Sequence, residues 1–456
     1  MRIKLPNTNA NLEGPGNRLY AEPRPSPDET SFQQDNVSAQ YYNSAYYKAH
    51  KNQVQPIPPA RDGVPAYLNL QDFIPSEVGT AITAAGKITF HAVGDTGAAK
   101  VSATQSAPTA IAHEAGVADA MAADVQSGGL AGPAFFFNLG DVVYNFGEAQ
   151  YYYDQFYEPF RDYDRPIFAI PGNHDGMVFG ATSATAQVPT LEAYLRNFCA
   201  DAPGPSPDSG GLIRTVMTEP GVYFTLDAPF VSIIGLYSNV LDSGAGVISS
   251  QGGHFPTLNG DVQLNFLKAE LRRLKPDRQA GKRAIILAVH HPPASVDAKH
   301  GGSSGIENDL DSCCQAAGLW PDVVLSGHAH LYQRFTRVVN GKHIPYIVSG
   351  SGGFAATMPQ GSVPKAPFTV GDTTLEVDPI VEFGYLTIST DANTLSVNFK
   401  TATQGTVTVR DSVNIDLTQG KIVSGTHVPG GGGTKPKPSG AKTRTTAGAI
   451  KQKKKK

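Results

Sequence analysis

Five short clusters of oxygen and nitrogen ligands, each placed where an apolar run ends, constrain this chain more than any other feature. In order they are Val93-Gly94-Asp95-Thr96-Gly97, Leu139-Gly140-Asp141-Val142-Val143-Tyr144, Pro171-Gly172-Asn173-His174-Asp175, Val289-His290-His291-Pro292 and Ser326-Gly327-His328-Ala329-His330. One Gly-Asp after a strand is common. Five such clusters in series describe the carboxyl edge of strands that hold a dinuclear metal site. Carboxylate, imidazole, phenol and amide carbonyl together suit hard or borderline first-row metals. Two metals about 3.5–4 Å apart need a bridging ligand, and a carboxylate has two oxygens for that. Asp141 is the best placed, because Tyr144, the next apparent ligand, lies on the same turn.

The tyrosine narrows the choice of metal. A free phenol has a pKa near 10, so binding it as phenolate at or below neutral pH needs a strongly acidic cation. Ferric iron meets that requirement, whereas zinc and magnesium meet it poorly. The imidazoles and the Asn173 carbonyl suit a softer divalent partner. The ligand types therefore predict a heterovalent or mixed-valence pair.

The motifs Asp95-Thr96-Gly97, Gly140-Asp141-Val142-Val143-Tyr144, Gly172-Asn173-His174-Asp175, Leu287-Ala288-Val289-His290 and Gly327-His328-Ala329-His330 carry a family likeness. Over roughly residues 87 to 390 the chain resembles the purple acid phosphatases, within the calcineurin-like metallophosphoesterase superfamily. Leu287 stands where that family usually has Val, an apolar strand residue in either case. Gly97 replaces the His found in most of the superfamily, and Tyr144 comes with that variant. The resemblance implies Fe3+ held by Asp95, Tyr144 and His330, with Asp141 bridging to a divalent metal (Fe2+, Zn2+ or Mn2+) held by Asn173, His290 and His328. It implies that His174 contacts the phosphate and stabilises or protonates the leaving group. His290 fits the ligand position of the His290-His291 doublet. His291, on the opposite strand face, is then either a support behind the ligands or substrate-facing. His300 resembles a substrate-side histidine, in a loop one residue longer.

The resemblance further implies an α/β fold, a two-sheet αββα sandwich, over residues 86–428. Residues 1–85, rich in Pro and Tyr, read as an irregular N-terminal arm. It either packs on the body through Tyr41, Tyr42, Tyr46 and Tyr47 or forms a disordered leader. Buried strands are expected at Lys87–Val93, Ala134–Leu139, Arg165–Ile170, Val231–Leu236, Arg283–Val289 and Asp322–Leu325. Tyr346–Val348, Gly384–Ser389 and Thr394–Lys400 are expected to build a second sheet. Helices are expected at Ala110–Gln126 and Asp261–Leu274, the latter with Asn259 as a possible cap.

Composition bounds the remainder. With 456 residues and 40% hydrophobic content, the chain can bury a large core. No run of 18 apolar residues is present, so a transmembrane span is not expected. The opening residues lack the apolar stretch of a secretory signal, and Cys199, Cys313 and Cys314 form no paired framework. Both observations favour a cytoplasmic setting, whereas many purple acid phosphatases are exported. Localisation stays open. From Pro429 a Gly-linked tail carries nine of the 37 Lys and Arg and no acidic residue, which leaves the body at net −12. The tail reads either as a solvated end or as a contact for anionic surfaces, and no specific nucleic-acid site is evident.

Other tempting residues read as structural. His91 is expected to be packed or hydrogen-bonded, and the aromatic cluster from Tyr151 to Phe160 to fill core. The Gly350-Ser351-Gly352-Gly353 turn is expected to be tight rather than phosphate-binding. The function expected from the resemblance is that of a dinuclear-metal phosphomonoesterase (an acid phosphatase) acting through metal-bound hydroxide on small phosphate esters. A phosphodiesterase or nucleotide-processing enzyme on the same site is the alternative, with specificity set by loops at 176–221 and 242–257. A non-catalytic binding protein is the third reading, disfavoured because every expected ligand is present.

Overall fold

The structure, a computed structural model, describes residues 58–98, 107–144, 146–176, 191–238, 262–403 and 405–428. Tyr41, Tyr42, Tyr46, Tyr47, Asn259, the 242–257 loop and the basic tail lie outside them, as does part of 176–221. The strands are β1 Tyr67–Asn69, β2 Ile88–Val93, β3 Phe136–Asn138, β4 Ile167–Ala169, β5 Phe224–Ala228, β6 Val231–Leu236, β7 Ala284–Val289 and β8 Val323–Ser326. After them come β9 Tyr332–Val339, β10 Lys342–Ser349, β11 Phe368–Val370, β12 Thr373–Leu375, β13 Gly384–Thr390, β14 Thr394–Thr403, β15 Thr406–Asp416 and β16 Lys421–His427. The α-helices are α1 Ser76–Ala85, α2 Ala107–Gly128, α3 Asn173–Gly176, α4 Glu192–Phe198, α5 Val262–Gln279 and α6 Ser304–Ala317, and Tyr153–Tyr157 forms a π-helical turn.

Two mixed sheets result. One runs β1-β5-β6-β7-β8-β10-β9-β12-β11 and the other β16-β15-β14-β13-β2-β3-β4. β2, β3 and β4 are parallel neighbours, as are β6, β7 and β8. Their sequences are near-continuous apolar runs because both faces are covered; Ala284–Val289 is buried at every position. α5 turns Leu267, Leu271 and Leu274 inward at helical spacing. α6 starts at Ser303, whose hydroxyl accepts from the Ile306 amide at 3.3 Å, and ends at Gly318 in the left-handed region. The aromatic cluster is core, as expected: Tyr151, Tyr152, Phe156, Tyr157 and Phe160 are all buried. The two sheets meet through the stacked rings of Tyr332 and Phe399, 4.2 Å apart. Beside them Asp411 accepts from Arg334 Nε and from the Tyr332 hydroxyl, each at 2.6 Å.

Two expectations need correction. The three later segments do not build one sheet. Tyr346–Val348 belongs to β10, which pairs in parallel with β8, while β13 pairs antiparallel with β2. Periodicity marks a strand but carries no information on a partner some 300 residues away. Nor is the stretch before residue 86 irregular throughout. β1 adds in parallel to β5, and α1 buries Val78 and Ile82. A three-residue strand has too short a pattern to register.

Asp322 provides a test of the packing. It is fully buried, 2.8 Å from both Arg278 Nε and Lys342 Nζ. Burial pushes its carboxyl up, but the Lys342 charge and the Arg278 hydrogen bond outweigh that and hold it below the ordinary carboxylate range. A depressed folded-state pKa means that the stabilisation is complete above the unfolded value near 3.9 and is lost as pH falls through the folded one. Asp322→Asn should therefore lower the melting temperature at pH 7. The gap to the parent should narrow below about pH 4. A gap that stays constant down to pH 2 would contradict this assignment.

Candidate metal centre

The ligand-bearing loops leave the carboxyl ends of β2, β3 and β4 in one sheet and of β7 and β8 in the other, so the site forms where the two sets of strand ends meet. The loops are joined by backbone. The Asp95 amide donates to Gly140 O at 2.8 Å, Gly94 to Ser349 O at 2.9 Å and Gly327 to His290 O at 3.0 Å. Asp95, Asp141 and His328 adopt positive φ of 58°, 57° and 67°. Non-glycine residues held there store about 1–3 kcal/mol each and concentrate at functional sites. Three of the five ligand loops thus carry that strain on the candidate ligand itself.

Two groups of donor atoms result, sharing Asp141. In the first, the Tyr144 hydroxyl lies 3.0 Å from Asp95 Oδ1, 3.0 Å from Asp141 Oδ2 and 3.4 Å from His330 Nε2. In the second, Asn173 Oδ1 lies 3.1 Å from His290 Nε2 and 2.9 Å from His328 Nδ1, while His290 Nε2 is 3.4 Å from Asp141 Oδ2. Asp141, His290 and His328 each offer a ligand atom within 4.8 Å of the others. All seven residues are buried. The structure therefore brings together every residue expected from the motifs as a ligand.

The electrostatics fit a cation in each group. Burial, then the charges of Asp141 and Asp95, push the Tyr144 phenol well above its ordinary range. Burial also opposes ionisation of Asp141, but the His290 and His174 charges hold it well below the usual carboxylate range. His328 is lowered well below its ordinary value by burial and then by the neighbouring imidazoles, so it keeps its lone pair for a metal.

Two glycines explain themselves by space. A Cβ at Gly97 would come within 2.7 Å of the Tyr144 ring, so a side chain at 97 and the tyrosine exclude each other. A Cβ at Gly172 would lie 2.1 Å from Asp141 Oδ1. The Gly350–Gly353 segment is closely packed: a Cβ at Gly350 would lie 2.3 Å from Ala329 O, and one at Gly352 2.4 Å from Gly94 O. It carries Phe354, whose amide donates to Asp95 O at 3.2 Å and whose ring stacks on Tyr144 at 3.6 Å.

Three further histidines surround the donor groups. His174 donates its amide to Asp141 Oδ1 at 2.8 Å, and its half-buried ring lies 4.3 Å from Tyr144. The His300 ring is 4.5 Å from His328 and 5.1 Å from His330, with a quarter of its side chain exposed. Burial and then His330 lower His300 to about 4. Asp297 accepts from the His300 amide at 2.7 Å and fixes its turn. His291 is fully buried, bonded to the Ser238 hydroxyl at 2.8 Å, with its ring 4.3 Å from His328. That placement favours the supporting role over the substrate-facing one.

His91 stands outside the site, as expected, 3.1 Å from the Tyr163 hydroxyl and 3.4 Å from Asp124. All three cysteines are free and buried. Sequence reading missed Gln155, whose side-chain oxygen accepts from the Tyr144 amide at 2.9 Å and from Ala98 at 3.0 Å. It lies in no motif, and no local signal marks it. Among the described residues no helix is long and apolar enough to cross a membrane.

Several known proteins are similar to parts of this chain. Purple acid phosphatase 21 of Arabidopsis thaliana is 32% identical over 108 residues, covering 22% of this chain and 23% of that protein. The chain thus matches less than a quarter of that relative's length. Among solved structures, purple acid phosphatase PPD1 from yellow lupin (Lupinus luteus) seeds is 16% identical, with a TM-score of 0.49 over 72% of this chain and 54% of that one. GAP50, the anchor in the inner membrane complex of Plasmodium, is also 16% identical, with a TM-score of 0.45 over 70% and 86%. The family model for calcineurin-like phosphoesterases matches residues 88–332, from the first residue of β2 to just past His330. That span takes in all five ligand loops and more than half of the sequence, and on it the chain belongs to the calcineurin-like phosphoesterases.

Proposed function

We propose that this phosphoesterase is a phosphomonoesterase of the purple acid phosphatase type, using Fe3+ and a divalent ion. One observation carries the reading: the Tyr144 hydroxyl lies 3.0 Å from each of two buried carboxylates, Asp95 and Asp141. A phenol there has no use as a phenolate without a strongly acidic cation beside it. Asp95, Tyr144 and His330 would hold that cation, and Asn173, His290 and His328 the divalent one, with Asp141 between them. When bound, such a pair neutralises phosphate charge and lowers the pKa of water towards neutrality.

The chain's own groups supply the remainder. His174, half-buried beside Tyr144, would give a proton to the departing oxygen. His300, partly exposed and held by Asp297, would bind phosphate oxygens. His291, locked to Ser238, supports His328 from behind.

Two cation sites flanked by imidazoles match a dianionic terminal phosphate better than a monoanionic diester. With metal content matched, hydrolysis of p-nitrophenyl phosphate should exceed that of bis-p-nitrophenyl phosphate, and metal analysis should find iron. A clear preference for the diester would transfer the assignment to the phosphodiesterase reading.

A further inference from the structure

We infer that Asp175 is the positioning residue of the metal centre, holding the two loops that carry Asp141 and Asn173 in ligating geometry without binding a metal itself. Its carboxylate is buried, 2% exposed, and receives backbone donors from both loops. Asp175 Oδ2 accepts from Gly172 N at 2.8 Å, Asp141 N at 2.9 Å and Val142 N at 3.3 Å. Asp175 Oδ1 accepts from Val142 N at 3.1 Å and Val143 N at 3.3 Å.

Three consecutive amides, Asp141 to Val143, aim at one point because the chain turns through positive φ at Gly140 (100°) and Asp141 (57°). Successive N–H groups in such a turn form a concave nest for an anion. Here an internal carboxylate fills the nest and, through Gly172, ties it to the next ligand loop. Four amides gathered on one side chain offset the strain of the left-handed Asp141 and fix where its carboxylate points. His174 completes the clasp, since its amide donates to Asp141 Oδ1 at 2.8 Å.

This inference rests on the metal reading above, and the experiment separates the two. Zn2+ is titrated calorimetrically into the metal-stripped full-length protein, parent and variants alike. Failure of the parent to bind Zn2+ would remove the metal reading itself. If the parent binds, Asp175→Asn, equal in size but uncharged, should bind Zn2+ about 10–100-fold more weakly, the usual cost of losing a group that orients a ligand. Asp175→Glu, which keeps the charge, should recover part of the loss. Unchanged Zn2+ affinity in Asp175→Asn would overturn the proposal.

Amide hydrogen exchange supplies a second measurement, which needs no variant. In the metal-stripped parent, the amides of Asp141, Val142, Val143 and Gly172 should be among the slowest to exchange in the molecule. Rapid exchange at these four would equally overturn the assignment. Should Asp175→Asn fold, protection should fall at those four amides and persist in the β6–β8 core.

Discussion

Tyr144→Phe should yield a folded, colourless protein that has lost its ferric ion. The parent, loaded with iron, should show a broad visible charge-transfer band from phenolate to Fe3+. The substitution keeps the ring, which stacks on Phe354 at 3.6 Å with 6° between the planes, so the packing around it survives. It removes the one oxygen that lies 3.0 Å from both Asp95 and Asp141. The remaining donors, two carboxylates and His330, retain no ligand that selects for a strongly acidic cation. The loss in turnover should exceed the 10–100-fold typical of groups that merely orient ligands. The measurements are metal content, the visible spectrum and the melting curve of parent and variant. A colourless, iron-free parent that is fully active with two divalent ions would defeat the ferric assignment.

Asn173→Ala and His174→Ala, neighbours in sequence, should fail in different ways. Asn173 Oδ1 sits 3.1 Å from His290 Nε2 and 2.9 Å from His328 Nδ1, amid imidazoles that converge on one point. Its removal should cost the divalent ion and activity together. His174 binds Asp141 through its backbone amide, which alanine retains, and its ring lies over Tyr144. His174→Ala should therefore keep both ions. General-acid and charge-stabilising contributions are each worth about 10²–10⁴-fold in rate, so turnover should fall by that order. The loss should be smaller with p-nitrophenyl phosphate, whose leaving group needs no proton, than with an alkyl phosphate. If His174→Ala strips a metal, or slows both substrates equally, His300 becomes the better candidate for the acid.

The two donor groups were equally legible in the amino-acid sequence as residue types. All seven candidate ligands were legible, because each lies in a short motif directly after an apolar strand, and such local patterns survive without tertiary information. Three of the strands that present them were legible for a similar reason: β2, β7 and β8 are largely apolar runs, buried over their lengths save for a half-buried Thr89 in β2. Gly97 and Tyr144 were linked in sequence only by resemblance. The structure shows them to be linked by space, since a Cβ at 97 would strike the tyrosine ring.

Only the tertiary structure decided which strands share a sheet. β10 lies beside β8 and β13 beside β2, choices made by long-range pairing that no local pattern encodes. It also decided the supporting residues. Gln155 reaches the Tyr144 amide from a buried π-helical turn, and Ser238 reaches His291 across 53 positions. Asp175 was visible as a letter of its motif, but its function was not. A carboxylate that binds backbone amides leaves no side-chain partner in the sequence to betray it, and the nest it fills exists only once the Asp141 loop has turned. Ligands are read locally because metals select residue types, whereas the groups that aim them are chosen by distance, which folding alone sets.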